Sequence, residues 1–328
     1  MKCGTWVLLV LSAAALLAAA VGCGGSGSGA KGPAAETLFR VWGTAGSDVF
    51  AVGNGGAILH YDGSVWSPMT SGSTGWLYGV WGSSPTDVYA VGTADANNNT
   101  TGGILHYDGS EWSAMTIGIT NVPGLLGVWG SSATDVIAVG DSGTILYYNG
   151  SLWSGMTSVT TWWLTAVWGS SFADVFAVGG SGTIVYYNGT SWAALTSGST
   201  ASLYGVWGLS PSDVYAVGYD DAASVDAILH YNGAAWSAMS SGAAATLQGV
   251  WGTADANVYA VGWDGDTTTG VILHYNGAAW SPVTSGARSP LFGVWGSLAG
   301  NVFVVGAGGL ILRANGAAWT PMALGNPT

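Results

Sequence analysis

One motif recurs along the chain at nearly regular intervals, and it constrains the fold more than any other feature of the sequence. The triplet Val-Trp-Gly, followed by a block such as Asp-Val-Tyr-Ala-Val-Gly, occurs seven times. The copies begin at Val41, Val80, Val128, Val167, Val206, Val250 and Val294. Their successive spacings of 39, 48, 39, 39, 44 and 44 residues indicate a base unit of 39 residues with three insertions. Such a period predicts a repeat architecture in which each copy is one supersecondary unit.

Each copy contains four short segments of strand-forming residues. In the third copy they read LLGVWG, DVIAVG, GTILYY and LWSGMT, and Gly, Ser, Asp or Asn separates them. Segments rich in β-branched and aromatic residues between such turn residues are typical of strands. An Asp-Gly or Asn-Gly pair between the third and fourth segments predicts a type I′ hairpin, in which both central residues have positive φ. Each copy is therefore predicted to be a four-stranded antiparallel meander.

Seven such units predict an all-β fold, a seven-bladed β-propeller of four-stranded antiparallel blades. A linear β-solenoid is the alternative, although its coils are usually shorter and its sheets parallel. Proline interrupts the fourth segment at Pro68, Pro282 and Pro321, and proline is tolerated on edge strands, so the fourth strand is expected to be outermost. The first strand is expected to be innermost. The sequence leaves open whether the ring closes with whole blades or with a shared blade.

The N-terminus has a different composition. Residues 1–22 combine a basic start at Lys2 with a long apolar run, which is typical of a secretory signal peptide. The stretch Ala20 to Cys23 reads AVGC and resembles the lipobox of bacterial lipoproteins, in which the cysteine is lipidated. Residues 23–37 then form a Gly/Ser-rich tether, and residues 38–328 form the propeller. An uncleaved signal anchor is the alternative.

Lipidation at Cys23 would place the protein at the cell envelope. The glycine that follows this cysteine resembles the outer-membrane sorting class, so we expect an outer-membrane lipoprotein that faces the periplasm or the cell surface. The exported body then contains no cysteine, because Cys3 leaves with the signal peptide. We expect a monomer that contacts the membrane through its lipid alone.

The charge of the chain excludes one class of partner. There are 17 acidic residues and five basic ones, and the formal net charge is -12. Two of the bases, Lys2 and Lys31, precede the repeats. Three arginines are too few for a positively charged track along phosphates, so nucleic acid is not expected as a partner.

The assembled repeat resembles those of a known group of propellers. Its pattern is L-x-G-V-W-G, then D-V-Y-A-V-G, then G-T-I-L-x-Y-D/N-G-x-x-W. It is similar to the propellers of the photosystem II stability and assembly factor type, to the BNR/Asp-box group and to bacterial repeat lipoproteins, from Leu38 to about Met322. It departs from a true Asp-box because Asp62 and Gly63 are adjacent. The resemblance implies the fold, whereas function does not follow from a fold alone.

The repeated polar and aromatic residues are expected to be structural. His60, His106, His230 and His274 share one third-strand position with Tyr147, Tyr186 and Arg313, and equivalent positions on different blades do not converge on one metal. The Asp or Asn before each second strand, such as Asp48, is expected to form an Asx-turn. The two tryptophans of each copy are expected to pack strands and blades together.

Catalytic chemistry has little support in the sequence. The chain has two glutamates, Glu36 and Glu111, and no nucleophile motif, zinc-ligand spacing or phosphate-binding loop stands out. The three arginines occupy different repeat positions, so they do not form the cluster that a sialidase needs. We predict no catalytic residue, no metal and no cofactor, and we retain a glycan-acting hydrolase as a distant third possibility.

The positions at which the repeats disagree carry the functional hypothesis. The insertions fall between the second and third strands, on the face that also carries the blade-to-blade links. Insertions in repeat proteins often gather on the binding face. The candidate ligand-face residues are Trp76, Trp162, Trp163, Tyr219, Asp220, Asp221, Trp263, Asp264 and Asp266. They predict a protein-binding or assembly scaffold with an unknown envelope partner, or alternatively a lectin-like glycan binder. Asp264 with Asp266, or Asp220 and Asp221 with Asp226, could hold Ca²⁺, although no full calcium-loop spacing is present.

Overall fold

The computed structural model describes residues 36–96, 98–254, 256–297, 301–315 and 318–325. The predicted signal peptide, Cys23 and most of the predicted tether lie outside these residues. Among the residues that are described, no helix combines the length and the apolar character needed to cross a membrane.

The described chain forms seven four-stranded antiparallel sheets. The first strands are Leu38–Ala45 (β1), Leu77–Ser84 (β5), Leu125–Ser132 (β9), Leu164–Ser171 (β13), Ser202–Ser210 (β17), Ala245–Ala254 (β21) and Leu291–Gly296 (β25). The second strands are Asp48–Gly53 (β2), Asp87–Asp95 (β6), Asp135–Gly140 (β10), Asp174–Gly179 (β14), Asp213–Asp220 (β18), Asn257–Asp264 (β22) and Val302–Gly306 (β26).

The outer half of each sheet follows the same order. The third strands are Ile58–Tyr61 (β3), Asn98–Tyr107 (β7), Ile145–Tyr148 (β11), Ile184–Tyr187 (β15), Val225–Tyr231 (β19), Gly270–Tyr275 (β23) and Ile311–Asn315 (β27). The fourth strands are Trp66–Met69 (β4), Trp112–Ala114 (β8), Trp153–Gly155 (β12), Trp192–Leu195 (β16), Trp236–Met239 (β20), Trp280–Val283 (β24) and Ala318–Pro321 (β28). Short 3₁₀ turns join the second and third strands at Asn54–Gly56, Asp141–Gly143, Gly180–Gly182 and Ala307–Gly309.

This arrangement confirms the predicted seven-bladed propeller and the order of strands within a blade. In every sheet the four strands are consecutive and hydrogen-bonded in sequence order. The first strands of neighbouring blades contact one another around the ring, so they are innermost. The fourth strands are the outer edges, where Pro68, Pro282 and Pro321 interrupt no ladder bond.

The predicted type I′ hairpin between the third and fourth strands is wrong in blades 1 to 6, as blade 1 shows. Tyr61 and Trp66 are the last paired residues, so the loop has four residues rather than two. Gly63 has φ of +95°, but Asp62 is not in the left-handed region. The Asp62 carboxylate accepts the N–H groups of Ser64 and Val65, both at 2.9 Å. The aspartate is thus selected because its side chain closes an Asx-turn, which Asn closes in other blades.

The first-strand tryptophans lock each blade to the next. Trp42 lies over Gly82 of blade 2, where an added Cβ would come within 2.7 Å of the indole Cη2. Trp81 covers Gly130 in the same way, and the ring is completed by Trp295 over Gly43. The glycine of each Val-Trp-Gly triplet is therefore required by the neighbouring blade. This contact explains why the triplet repeats.

The fourth-strand tryptophans fill the apolar cores between blades. Trp66 and Trp153 are fully buried, and Trp112 meets Phe50 of the preceding blade edge to face at 6.2 Å. Seven clusters of buried residues each combine two adjacent blades. The predicted packing role of both tryptophan series is confirmed.

The ring closes with whole blades. Blade 1 is built from β1 to β4 and blade 7 from β25 to β28. The segment after β28 then runs along the outer strand of blade 1, where Gly325 N donates to Trp66 O at 2.9 Å and the indole of Trp66 donates to Met322 Sδ at 3.4 Å. This segment therefore connects blade 7 to blade 1, just as the links connect the other pairs of neighbouring blades.

The insertions lengthen three hairpins between the second and third strands. In blade 5 the pairing of β18 with β19 extends to Asp220 and Val225, and in blade 6 that of β22 with β23 extends to Trp263 and Gly270. Blade 2 carries the third extended hairpin. We call the side of the disc with these hairpins, the 3₁₀ turns and the blade-to-blade links the insertion face. The opposite side, with the other two turns of each blade, is the turn face.

Candidate functional site: the axial mouth on the insertion face

The innermost strands place one non-repeating side chain each at the central axis. The position follows the first leucine of the L-x-G-V-W-G pattern. Its occupants are Phe39, Tyr78, Leu126, Thr165, Tyr204, Gln248 and Phe292. All seven are buried. Because this position lies at the start of the innermost strand, these side chains gather where the axis opens on the insertion face.

Aromatic rings dominate this opening. Phe39 contacts Tyr78 at a centroid distance of 5.2 Å and Phe292 at 5.7 Å. Trp76 packs 6.1 Å from Phe39, and Trp263 packs 5.6 Å from Phe292. We define the axial mouth as the cluster Phe39, Tyr78, Leu126 and Phe292 with the partly buried Trp76, Trp163, Trp263 and Ala307 around it.

Three of the predicted ligand-face aromatics thus converge on one cluster. Trp76 and Trp163 immediately precede a first strand, whereas Trp263 comes from the extended hairpin of blade 6, so a link and an insertion both contribute. Trp162 lies beside them, 46% exposed and edge to face with Trp163 at 5.5 Å. Tyr219 occupies the repeat position of Trp263 but does not belong to the cluster.

The four predicted aspartates lie at the turns of the extended hairpins and not among the mouth aromatics. Asp220 Oδ1 accepts the N–H groups of Ala222 and Ala223 at 2.9 and 3.1 Å. Asp264 Oδ1 accepts those of Asp266 and Thr267, which lowers the pKa of Asp264. Asp221 and Asp266 are exposed at the hairpin tips. In the described ranges, no three His, Cys, Asp or Glu side chains come together as metal ligands.

Several buried polar atoms around the mouth have no hydrogen-bond partner within the described chain. They are Tyr78 OH, Trp163 Nε1, Asp141 Oδ1 and Asn54 Oδ1. Burial raises the pKa of Asp141, and burial together with the Asp141 charge raises the pKa of Tyr78. Buried polar atoms are normally paired. The indole N–H groups of Trp192, Trp236 and Trp280, in the cores between blades, are unpaired in the same way, so such atoms are not confined to the mouth.

Arg40 closes the axis below the mouth, and the sequence reasoning missed it. It stands where the other six copies have Gly or Ala, and that break in the pattern was the available signal. Its guanidinium donates to the carbonyl oxygens of Phe39, Phe292 and Tyr204 at 3.1 to 3.2 Å. Removal from water lowers its pKa to about 10, so it stays charged at neutral pH. Beneath it is a cavity of about 130 Å³ lined by the seven valines of the Val-Trp-Gly triplets.

Because Arg40 and the mouth side chains fill the axis, the space at their level is only about 20 Å³. That is room for about one water molecule. The axis is therefore a plugged core rather than an open pore.

The turn face carries a polar network that repeats around the ring. In blade 1 the Thr44 hydroxyl donates to Asp48 at 2.5 Å, and His60 Nε2 lies 2.7 Å from the same carboxylate. Tyr147 OH replaces the histidine in blade 3 and donates to Asp135 at 2.8 Å. The acidic residues therefore bridge side chains of the first and third strands, and the predicted Asx-turn at this position is wrong.

This network contains a hydroxyl, an imidazole and a carboxylate, as a hydrolytic triad does, but the hydrogen bonds connect these groups in a different order. The hydroxyl of Thr44 bonds to the carboxylate, not to His60, so the imidazole has no hydroxyl to activate. In blade 7 the same role falls to Arg313, whose Nε donates to Asn301 Oδ1 at 2.9 Å. His, Tyr and Arg can each donate a hydrogen bond to the Asp or Asn side chain. The position therefore requires a hydrogen-bond donor, and its role is structural.

No protein-family model and no curated protein sequence matches the chain. Among solved structures, the chain is similar to YCF48 bound to D1 peptide, with 13% identity, a TM-score of 0.66 and coverage of 86% of this chain and 94% of that one. It is similar to YCF48 from Cyanidioschyzon merolae at 14% identity and a TM-score of 0.67, over 87% and 97% of the two chains. It is also similar to the WD40 β-propeller domain of Doa1, with 13% identity, a TM-score of 0.63 and coverage of 85% of this chain and 92% of that one. At these identities the likeness shows the propeller fold.

Proposed function

We propose that this protein is a non-catalytic propeller scaffold that binds a protein partner through the axial mouth, and that a lipid on Cys23 holds it at the bacterial cell envelope. The observation that carries the proposal is the mouth itself. It combines the partly buried indole rings of Trp76, Trp163 and Trp263 with the buried aromatic side chains beneath them. Tryptophan and tyrosine with a few polar groups are the residues that dominate protein-binding energy.

The similar structures support a protein partner by analogy. One of them is described as bound to a peptide. The fold is shared, whereas the mouth residues belong to this chain, so the identity of the partner must be found by experiment.

The test is affinity capture from envelope extract with the full chain and matched variants. The double variant Trp76→Ala and Trp263→Ala removes two of the indole side chains around the mouth. Trp162→Ala removes a neighbouring exposed indole, and Ser151→Ala changes an exposed residue of the turn face. We expect the double variant to lose more than about tenfold of the captured partner, because central aromatic residues each contribute about 2 kcal/mol or more.

The Ser151→Ala control is expected to capture the wild-type amount. A captured set that is the same for the double variant and the wild type, while its circular dichroism spectrum and melting temperature stay normal, would refute the mouth as the binding site. Capture that falls only in Ser151→Ala would place the site on the turn face.

Anchoring is tested separately from binding. Labelling cells with a radioactive fatty acid is expected to mark the wild-type chain and not Cys23→Ala. We also expect the wild type to sediment with outer membranes and, once extracted in detergent, to behave as a monomer. A Cys23→Ala chain that stays membrane-bound would instead support an uncleaved N-terminal anchor.

A glycan ligand is the second candidate, and the exposure of Trp162 favours it. Sugars stack on exposed indole rings, and Trp162 is 46% exposed next to Trp163. On a glycan array, wild-type binding that is lost in Trp162→Ala would support a lectin. No glycan binding, or binding that Trp162→Ala leaves unchanged, would remove this candidate.

A further inference from the structure

One position is glycine in six blades and aspartate in blade 5; it lies on the third strand in blades 2, 5 and 6 and at the end of the preceding 3₁₀ turn, with positive φ at the glycine, in the other four. It lies two residues before the first buried isoleucine of the strand. Its occupants in chain order are Gly56, Gly102, Gly143, Gly182, Asp226, Gly270 and Gly309. The single exchange is informative because the glycines have a packing role.

At five of these glycines, a carbonyl oxygen of the link to the next blade lies within 2.7 Å of the place that a Cβ would occupy; they are Gly56, Gly102, Gly143, Gly182 and Gly270. A Cβ built on Gly182 would overlap the carbonyl oxygen of Ser199. One built on Gly102 would lie 2.5 Å from the carbonyl oxygen of Pro123. A side chain at this position therefore requires the link to move.

The same links also pair the free edge of the lengthened third strands. In blade 2 the N–H of Gly102 donates to Val122 O at 2.8 Å. In blade 6 the N–H of Gly270 donates to Ala287 O at 3.3 Å. In both blades the strand extension is thus covered along its outer side.

Blade 5 lacks this cover. β19 pairs with β20 from Ile228 onward, and within the described chain Val225–Ala227 has no strand partner on that side. The link instead reaches the strand through Ser241, whose hydroxyl donates to Asp226 Oδ2 at 2.8 Å. In blade 4 the equivalent hydroxyl, of Ser197, donates to Ser199 O within its own link at 3.1 Å.

A groove of about 640 Å³ lies along this uncovered edge. Its size falls within the range of about 300 to 1,000 Å³ that is typical of ligand sites. Val225–Leu229 forms one wall, and the links before and after blade 5 form the other. Two carboxylates line it, Asp220 and Asp226, and no lysine, arginine or histidine does. Val225 at its margin is 41% exposed.

We propose that this blade 5 groove binds an extended segment of a partner protein, which adds as a strand to the edge of Val225–Ala227 and places a lysine or arginine side chain against Asp226. An uncovered strand edge beside small side chains is the geometry of strand addition. The carboxylates and the acidic chain supply the charge complementarity for a basic segment. This inference rests on the proposed protein-binding function but uses a separate surface.

Because Asp226 is partly buried, its carboxylate is expected to interact more strongly with a bound cation. Desolvation raises the pKa of this carboxyl, and the Ser241 hydroxyl opposes that shift in part. A carboxylate that is partly removed from water without a cationic partner gains more from a bound cation than an exposed one does.

The test is a selection of random linear peptides displayed on phage against the full chain in detergent. The selected peptides are then measured against Asp226→Gly without prior removal of any binder, since this variant restores the residue of the other blades and lets the link close. We expect the selected peptides to contain lysine or arginine flanked by β-branched residues. We expect their affinity to fall by about tenfold or more in Asp226→Gly and by less in Asp226→Asn.

The control is Asp266→Asn, which changes an exposed carboxylate on the neighbouring hairpin and should leave affinity unchanged. Bound peptide should also slow amide exchange at Val225–Ala227. Selection of no peptide, of peptides without a basic residue, or of peptides that bind Asp226→Gly as well as wild type would overturn the proposal.

The mouth variant separates this inference from the proposed function. The Trp76→Ala and Trp263→Ala double variant is expected to bind the selected peptides with wild-type affinity. If that variant keeps its envelope partners while peptides still depend on Asp226, the axial-mouth proposal fails and the groove proposal stands. If instead the double variant loses its envelope partners and the peptides do not depend on Asp226, the groove proposal fails and the axial-mouth proposal stands.

Discussion

The two faces of the disc differ in how they treat variation between repeats. On the turn face, the third-strand position varies between His60, Tyr147 and Arg313, yet each side chain lies 2.7 to 2.9 Å from the Asp or Asn side chain at the start of the second strand. On the insertion face, equivalent positions hold residues as different as Trp263, Tyr219 and Ala307. Substitution that keeps the hydrogen bond indicates structural constraint, whereas substitution that changes chemistry indicates a surface free to acquire a partner.

The largest expected difference is between buried repeated tryptophans and exposed unrepeated ones. Trp153→Ala removes a fully buried indole between blades 2 and 3 and is expected to cost about 3 to 5 kcal/mol of unfolding free energy. Trp162→Ala is expected to cost less than about 1 kcal/mol, because this side chain is 46% exposed. Urea denaturation measures both. Equal losses would show that the two series do not differ in structural role.

The turn-face network provides the next prediction. His230→Leu leaves the Asp213 carboxylate without its 2.7 Å partner and is expected to cost about 1 to 2 kcal/mol. His230→Tyr is the matched control, since tyrosine fills this position in two other blades, and it should cost less than about 0.5 kcal/mol. A tyrosine variant as unstable as the leucine variant in the same denaturation assay would contradict the donor explanation.

The insertion face should tolerate loss of a whole hairpin tip. Replacing residues 219–227 by the Asp-Ser-Gly-Thr turn of blade 3 is expected to change unfolding free energy by less than about 1 kcal/mol, since loop length has a small entropic effect. The replacement restores glycine at the position of Asp226, and the thermal midpoint reports its effect. Collapse of the fold would show that the hairpin is part of the core.

The smallest effect concerns carboxyl titration on the two faces. Asx-turn hydrogen bonds lower the pKa of Asp62 to about 2, so its contribution to stability is present above about pH 4 and is lost as pH falls through 2. Burial raises the pKa of Asp226, so the folded state holds that proton more tightly and loses stability as pH rises through this pKa. Carbon-13 NMR of the carboxyl groups should show Asp62 titrating well below Asp226. The reverse order would contradict the assigned environments.

The repeat period accounts for how much of the fold the sequence could predict. Because Val-Trp-Gly recurs seven times, the blade number, the strand order and the packing tryptophans followed from the pattern. The hairpin type did not, since Asp-Gly suits both a two-residue turn and the four-residue Asx-turn around Asp62. Local sequence cannot choose between these when strand register decides the loop length.

The candidate site was only partly accessible from sequence. Trp76, Trp163 and Trp263 were found because they break the repeat, and the structure brings them together. Arg40 and Asp226 also break it, each replacing a small residue, but Arg40 was not predicted as a site residue and Asp226 was considered only as a calcium ligand, because a substitution within a strand resembles drift. Their effect depends on what passes close to that backbone, which the sequence does not state.

Site-specific photo-crosslinking in the native envelope tests most directly whether partners bind the insertion face. Benzoylphenylalanine would replace Trp162 or Tyr219 on that face and Ser151 or Ala234 on the turn face. We expect a crosslinked protein band from the first two positions and none from the others. A band that forms only from Ser151 or Ala234 would contradict this expectation and would move the binding function to the opposite side of the disc.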